Sequence, residues 1–474
     1  MWILNDVIIL AALAVLAFLY IRKKTAAMLA GVMICYCCLP AIRLGERGIT
    51  PGYLVTAFLF VLFLIELFRK RIRLNRCQRL FLIAMAGSLL FTFLGWIING
   101  SPAFSHLIHF AGLGQYMLGV LLLSIFFTSS DGIVTPEGVL YKAMPSILGL
   151  NGLFVILQFT FFDLSVRLME IFYVYPGKNG PLNAMIGIDR FSRAFGTNYS
   201  PILLAIISLV FCSFLLGQSL RNGRLERKNL LLFFFSLSLG FLAFSKTVIL
   251  GIVIAFFAAV VIGLFFAVRA KKVAALLKIL GAYLANIVLV AGLVAAFGLT
   301  AGFKNQVRHY YGYLLNPLEA LDSRYENILP ENPQPEPSAS SPSEKPNNQK
   351  NEPTGNMLDA MTVIRQHVLI GVGPAQVSGE FIGDSQIINA LHDGGVLNAL
   401  CYGLFYLWLF LSALKKQDYS RALMVVCLGL SCLSLPVFTY ACTIPLVGYC
   451  ITMDDKNLLF FRERKAPDTD SSVE

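Results

Sequence analysis

Charge is what this sequence has least of. Asp, Glu, Lys and Arg make up 14% of its 474 residues, against roughly 25% in soluble domains. With 57% hydrophobic residues and a mean hydropathy of +0.71, too little polar surface remains to cover a water-soluble core. A soluble globular protein is excluded. Short segments of alternating polarity are also missing, which excludes a membrane β-barrel. No Lys or Arg precedes the first apolar run, so no cleavable leader is expected and the N-terminus is expected to face outward. No internal repeat is visible, which speaks against an inverted-repeat transporter. No cysteine falls in the polar stretch 301–390, so no disulfide framework is expected there. The run Cys35-Tyr36-Cys37-Cys38 has the look of a ligand cluster, but the plainer reading is that Cys is an ordinary small hydrophobe.

What the chain has in abundance is apolar runs long enough to cross a bilayer as helices. Spans are predicted at 3–20, 25–42, 52–68, 80–98, 107–127, 144–162, 199–217, 229–244, 247–267, 274–299, 391–413, 422–437 and 439–453, about thirteen in all. The net charge of +11 is not the footprint of a nucleic-acid binder. Its cations sit in short clusters between apolar runs, such as Arg22-Lys23-Lys24, Arg221 to Lys228 and Lys415-Lys416. With an outward N-terminus these clusters all fall on one side, and that side is predicted to be the cytoplasm. The expected organisation is an all-α, polytopic membrane protein in four parts. Residues 1–300 carry ten spans and an outward loop at 163–198. Residues 301–390 form a large extracytoplasmic loop. Residues 391–454 hold the C-terminal spans, and 455–474 form a cytoplasmic tail. Within the large loop, 330–355 is rich in Pro, Ser, Glu and Asn and has almost nothing apolar. Such a stretch cannot bury enough surface to fold, so a disordered insert is expected.

The outward segments hold cations that the positive-inside rule disfavours. Asp189-Arg190-Phe191-Ser192-Arg193-Ala194-Phe195-Gly196-Thr197-Asn198 leads straight into a span. Arg193 would then stand above a helix N-terminus, where an Arg fork and helix-end amides together suit a phosphate or pyrophosphate. The plainer reading is an interfacial Arg that snorkels to headgroups. Phe244-Ser245-Lys246-Thr247 interrupts about forty apolar residues. Lys246 either marks a tight outward turn or is aimed at an anion. The large loop adds Ser323-Arg324, Arg365, the turn Gly371-Val372-Gly373-Pro374, then Asp384-Ser385-Gln386 and Leu391-His392-Asp393-Gly394-Gly395. The glycine turn lacks the preceding strand and the Lys-Ser/Thr of a phosphate-binding loop, so a packed turn is its plain reading. His392 and Asp393 lack a suitably spaced third metal ligand, and no metal site is predicted. Glu66 is a rare acid inside a span.

In their order and membrane placement these motifs resemble the O-antigen polymerase and O-antigen ligase superfamily of bacterial envelope glycan enzymes. Three features carry the likeness. Arg193-Ala194-Phe195-Gly196-Thr197-Asn198-Tyr199-Ser200-Pro201 is similar to the family's Arg-x-x-Gly followed by Asn or Pro before a span. Ser245-Lys246-Thr247 stands where the family has Ser-Arg between two helices. The large outward loop runs from Ser323-Arg324 through Ile370-Gly371-Val372-Gly373 to Leu391-His392-Asp393-Gly394-Gly395. The likeness covers roughly 190 to 400.

The resemblance implies a helical, GT-C-like, metal-independent glycosyltransferase without a cofactor. It would join glycans carried on polyprenyl pyrophosphate at the outer face of the bacterial cytoplasmic membrane. A chain-length regulator and a flippase are the implied protein partners. Arg193, Lys246 and Arg324 are the expected pyrophosphate contacts, with Arg190 and Arg365 as second choices. Asp384 and His392 are the expected acceptor-side residues, Asp384 being the better base because a carboxylate accepts the sugar proton. Asp384-Ser385 stands where ligases tend to have His-Asn, which favours a polymerase. A ligase, or from another class a lipid-linked sugar flippase, is the alternative. A transporter should place charges near the midplane of its spans.

Overall fold

The computed structural model describes residues 2–44, 47–69, 74–100, 107–129, 135–173, 193–198, 200–269, 273–300, 357–374, 385–433 and 437–453. The described chain is helical, apart from one antiparallel hairpin of β1 (Ile42–Leu44) and β2 (Arg47–Ile49) in which Ile42 pairs with Ile49. Among the described residues, nine helices are long and apolar enough to cross a membrane. They are α1 (Trp2–Ile21), α3 (Pro51–Arg69), α4 (Arg76–Ile98), α5 (Leu107–Ser129), α6 (Pro136–Thr160), α8 (Pro201–Asn222), α10 (Lys246–Arg269), α11 (Val273–Thr300) and α13 (Gln386–Lys415). This is the architecture of an all-helical, multi-pass membrane protein.

The other predicted spans fold as shorter helices: α2 (Thr25–Cys38), α9 (Arg227–Leu242), α14 (Tyr419–Ser431) and α15 (Ile444–Cys450). Their brevity has local causes. α2 stops at Leu39 because Pro40 follows, and a residue before proline is pushed out of the helical region. α15 starts late, after a 3-10 turn at Ala441–Thr443, with Pro445 in its first turn. Two further helices lie outside the predicted spans, α7 (Phe162–Phe172) and α12 (Met357–Gln366).

The long helices begin on recognisable signals. Asn75 caps α4 through a capping box, its side chain accepting from the Gln78 amide while Gln78 Oε1 accepts from the Asn75 amide. Thr135 caps α6, with Pro136 in the first turn. α8 starts on Pro201 and ends on Gly223, whose φ of 62° a side chain would resist.

α8 is the central post. Buried residues make up 94% of its span, against 17–56% in the other eight. α14, α9 and α10 pack around it, while α4 and α13 form the other large helix pair. Outward faces are apolar as well: Leu10 and Phe18 on α1, Phe257 on α10 and Val288 on α11 are exposed. Such surface is costly in water and natural against lipid.

Hydrogen bonds between helix termini sort the bundle into two ends. At one, Tyr20 bonds Glu66, Asn75 bonds the Ile451 carbonyl, Tyr141 bonds Asn229 and Arg421 bonds Thr452. Arg22-Lys23-Lys24, Arg221 to Lys228 and Lys415-Lys416 all belong to this basic end. At the opposite end, Asn5 bonds the Ala41 and Ile171 carbonyls, Gln158 bonds the Arg193 carbonyl and Asn99 bonds the Ile370 carbonyl. This second end carries the sequence motifs.

Candidate functional site

The stretch Arg193–Thr197 is short, polar in backbone and buried from Ala194 onward. Backbone groups taken out of water must find partners, and three helices bond this stretch, two of them through its backbone. From α6, Gln158 donates to the Arg193 carbonyl at 2.7 Å and accepts from the Phe195 amide at 3.0 Å. Nearer the α6 start, Asn151 Oδ1 accepts from the Thr197 amide at 2.9 Å. The Thr197 hydroxyl also lies 3.3 Å from the Cys37 carbonyl of α2. Gly196 has φ 59°, and a Cβ there would sit 2.4 Å from Asn151 Oδ1. The glycine of the Arg-x-x-Gly motif is therefore required both by its conformation and by contact.

The third helix is α9. Its last turn leaves carbonyls without helical partners. The Ala194 amide donates to the Leu242 carbonyl at 2.9 Å, and Arg193 Nε donates to the Ala243 carbonyl at 3.1 Å. A cation at a helix C-terminus also meets the negative end of the dipole. Next in the chain, Phe244 adopts φ 43°, uncommon for a bulky residue. That turn reverses the chain into Ser245-Lys246-Thr247, the start of α10. The first two predicted motifs, about fifty residues apart in sequence, thus meet through Arg193 and the Ala243–Lys246 turn. Lys246 is partly exposed and is the first residue of α10. A cation is disfavoured there by the helix dipole, while an anion is favoured.

A second constellation forms between α4 and α13. α13 is broken at Gly395, φ 72° and ψ −166°, just beyond His392 and Asp393. Such a break frees helical amides and carbonyls, and Val368–Gly373 takes them up as a strap. Val372 donates to the His392 carbonyl at 2.8 Å, Gly373 to the Asp393 carbonyl at 2.9 Å, and Val396 to the Val368 carbonyl at 2.8 Å. Asn99 at the end of α4 donates to the Ile370 and Gly371 carbonyls at 2.9 and 3.0 Å. A Cβ on Gly371 would lie 2.0 Å from the His392 carbonyl oxygen, and one on Gly373 2.6 Å from Trp96. The glycines of Ile370-Gly371-Val372-Gly373 permit this close approach, so the packed-turn reading describes them.

His392 lies inside α13, six residues past its start, and not at the span boundary predicted from hydropathy. Its ring is 2% exposed. Nδ1 lies 3.1 Å from Asp393 Oδ1, and Nε2 is buried with no hydrogen-bond partner among the described residues. Ser385 caps α13, its hydroxyl accepting from the Ile388 amide. Gln386 donates its amide to the Cys432 carbonyl and accepts from the Phe438 amide. Arg365 is exposed near the end of α12. Arg190, Arg324 and Asp384 lie outside the described residues, as do the insert 330–355 and the tail 455–474. Among the described residues no three His, Cys, Asp or Glu side chains gather closely enough to hold a metal ion.

Hydropathy had no way to single out the amides that hold these backbone segments. Asn151 and Gln158, which bond the 193–197 stretch, lie within an apolar run, and Asn99, which bonds the Ile370–Gly371 strap, ends one. A buried amide in a membrane helix needs a partner, and that is the signal that was available. Tyr173 adds another tie, its hydroxyl donating to the Cys38 carbonyl at 3.2 Å. Burial first, and the neighbouring Cys38 thiol second, push its pKa well above the ordinary tyrosine value, so it stays a neutral donor. Comparison of the chain with protein families, with curated proteins and with solved structures finds no match.

Proposed function

We propose that this protein is a bacterial polysaccharide polymerase, extending a glycan from polyprenyl-pyrophosphate-linked oligosaccharide units at the outer face of the cytoplasmic membrane. The observation that carries the reading is the hydrogen bond of Arg193 to the Ala243 carbonyl, two residues before Ser245-Lys246-Thr247, at one end of the bundle. Two cations from separate motifs stand at helix termini, Arg193 beside the end of α9 and Lys246 at the start of α10. In this reading the bundle has thirteen spans, with α2, α9, α14 and α15 counted as crossings. The basic end faces the cytoplasm and the motif end faces outward.

The chemistry follows from the leaving group. Glycosyl transfer breaks the bond between the anomeric carbon and the pyrophosphate oxygen, and the lipid pyrophosphate departs with increasing negative charge. Arg193, Lys246 and Arg324 stabilise that charge more in the transition state than in the ground state. An acceptor hydroxyl attacks the anomeric carbon and gives its proton to Asp384, with His392 and its neighbour Asp393 on the acceptor side. The polyprenyl tail lies in lipid along the apolar outer faces of the helices, so the reacting end stays at the membrane surface.

The test is reconstitution. Purified protein in lipid vesicles is given a polyprenyl-pyrophosphate-linked oligosaccharide as the sole substrate. A ladder of longer lipid-linked products is expected. Substrate that crosses the vesicle membrane without any change in length would overturn the reading in favour of a flippase. Transfer only to an added second acceptor would mark a ligase.

A further inference from the structure

Asn151 and Gln158 stand seven residues apart on α6, so their side chains share one face of that helix. Both are buried, at 1% and 2% exposure. A side-chain amide taken out of water is costly unless its donor and acceptor are both paired. Here both side chains bond one strip of backbone. Gln158 takes the Arg193 carbonyl and the Phe195 amide, the pattern that an adjacent β-strand would offer. Asn151 takes the Thr197 amide while donating to the Ile147 carbonyl of its own helix at 2.8 Å. The Arg193 backbone is thereby fixed on one side, and its Nε is fixed on the other by the Ala243 carbonyl.

We propose that Gln158 is the positioning residue for Arg193, holding the arginine where it meets the lipid pyrophosphate. The inference rests on the pyrophosphate reading given above. Gln158 touches no substrate. It acts by removing the freedom of the backbone that carries the guanidinium, so the charge is already in place when the leaving group arrives.

The experiment uses the full chain in lipid nanodiscs and two probes, undecaprenyl pyrophosphate and uncharged undecaprenol. The readout is the ratio of their affinities, which a general loss of packing does not change. Wild type is expected to prefer the pyrophosphate. Arg193→Ala should lose that preference by roughly ten- to a hundredfold, the effect of one hydrogen bond to a charged group. Gln158→Met, close in volume but without the amide, should lose about as much. In the double variant the second substitution should add nothing, because Gln158 acts only through Arg193. If Gln158→Met does not fold, Gln158→Asn takes its place, keeping the amide on a stem one methylene too short to span both backbone groups. A preference retained in the folded Gln158 variant, or losses that add in the double variant, would overturn the positioning role and leave the pyrophosphate reading standing. No preference in wild type, or an undiminished one in Arg193→Ala, would overturn the pyrophosphate reading and the positioning role with it.

Discussion

Arg421 at the basic end and Arg193 at the motif end are both arginines beside helix termini, and they are held in opposite ways. Arg421 is buried among carboxylates. Its Nη1 lies 2.6 Å from Asp418, Nη2 lies 3.5 Å from Glu137 and 2.9 Å from the Thr452 hydroxyl, and the guanidinium stands 4.6 Å over the Tyr449 ring. Arg221 joins the same carboxylates from α8 at 3.5 and 4.0 Å. That network ties α6, α8, α14 and α15 together and cancels its own charge. Arg193 is partly exposed, and its Nε donates to a backbone carbonyl, a bond that orients the guanidinium. Charge matched by charge is a device for holding helices. In the function proposed above, charge oriented by a backbone carbonyl is a device for meeting an anion. If the comparison is right, substitutions at the two ends should fail differently: one through stability, the other through chemistry.

The largest stability effect is expected from Arg421→Met. It leaves Asp418 and Glu137 without their buried cation, which typically costs about 3–5 kcal/mol. Thermal unfolding in detergent should show a large drop, and product should fall only as far as protein does. Lost product from a normally stable variant would erase the distinction between the two ends.

Gly395→Ala is expected to come next, at about 1–3 kcal/mol. A Cβ there would sit 2.3 Å from the Leu369 carbonyl in a left-handed conformation, so the strap and the two halves of α13 must separate. Unchanged unfolding would mean that the break in α13 is not held by the strap. The smallest effect is expected from Arg365→Ala, because an exposed side chain away from special features contributes within about 0.5 kcal/mol. Near-normal product is expected from it. A loss as deep as that of Arg193→Ala would move the leaving-group site towards α12.

The helices themselves were plain in the sequence, because a run of apolar residues long enough to cross a bilayer has few other uses. The motif residues Arg193 and Lys246 were equally visible as cations where cations are disfavoured. What hydropathy did not show was geometry within a span. α13 reads as one apolar run from residue 391, yet it begins at Gln386 and breaks at Gly395. A window average registers neither a capping serine nor a single left-handed glycine. The hairpin at 42–49 was hidden for a similar reason, since three residues per strand are too few to establish an alternating pattern. α7 was read as part of a loop because its polar face, with Asp163, Arg167 and Glu170 exposed, dilutes its hydropathy. The pairing of Arg193 with the turn after α9 joins positions far apart in the chain, and nothing local in either motif announces the other.

The most direct test of the claim that the motif end carries the chemistry is a gel of surface glycan, with a parallel blot for the protein, from cells expressing Arg193→Ala, Lys246→Ala or Arg324→Ala. Removing one contact to developing charge typically costs about 3–4 kcal/mol, a rate loss of roughly 10²–10³. The account predicts that the polymer ladder vanishes in each variant, at normal protein level, while single repeat units still reach the surface. Arg193→Lys should also fail, since a point charge does not replace a fork, while Lys246→Arg should retain product. Normal ladders from all three alanine variants would contradict the account and leave these cations as interfacial anchors.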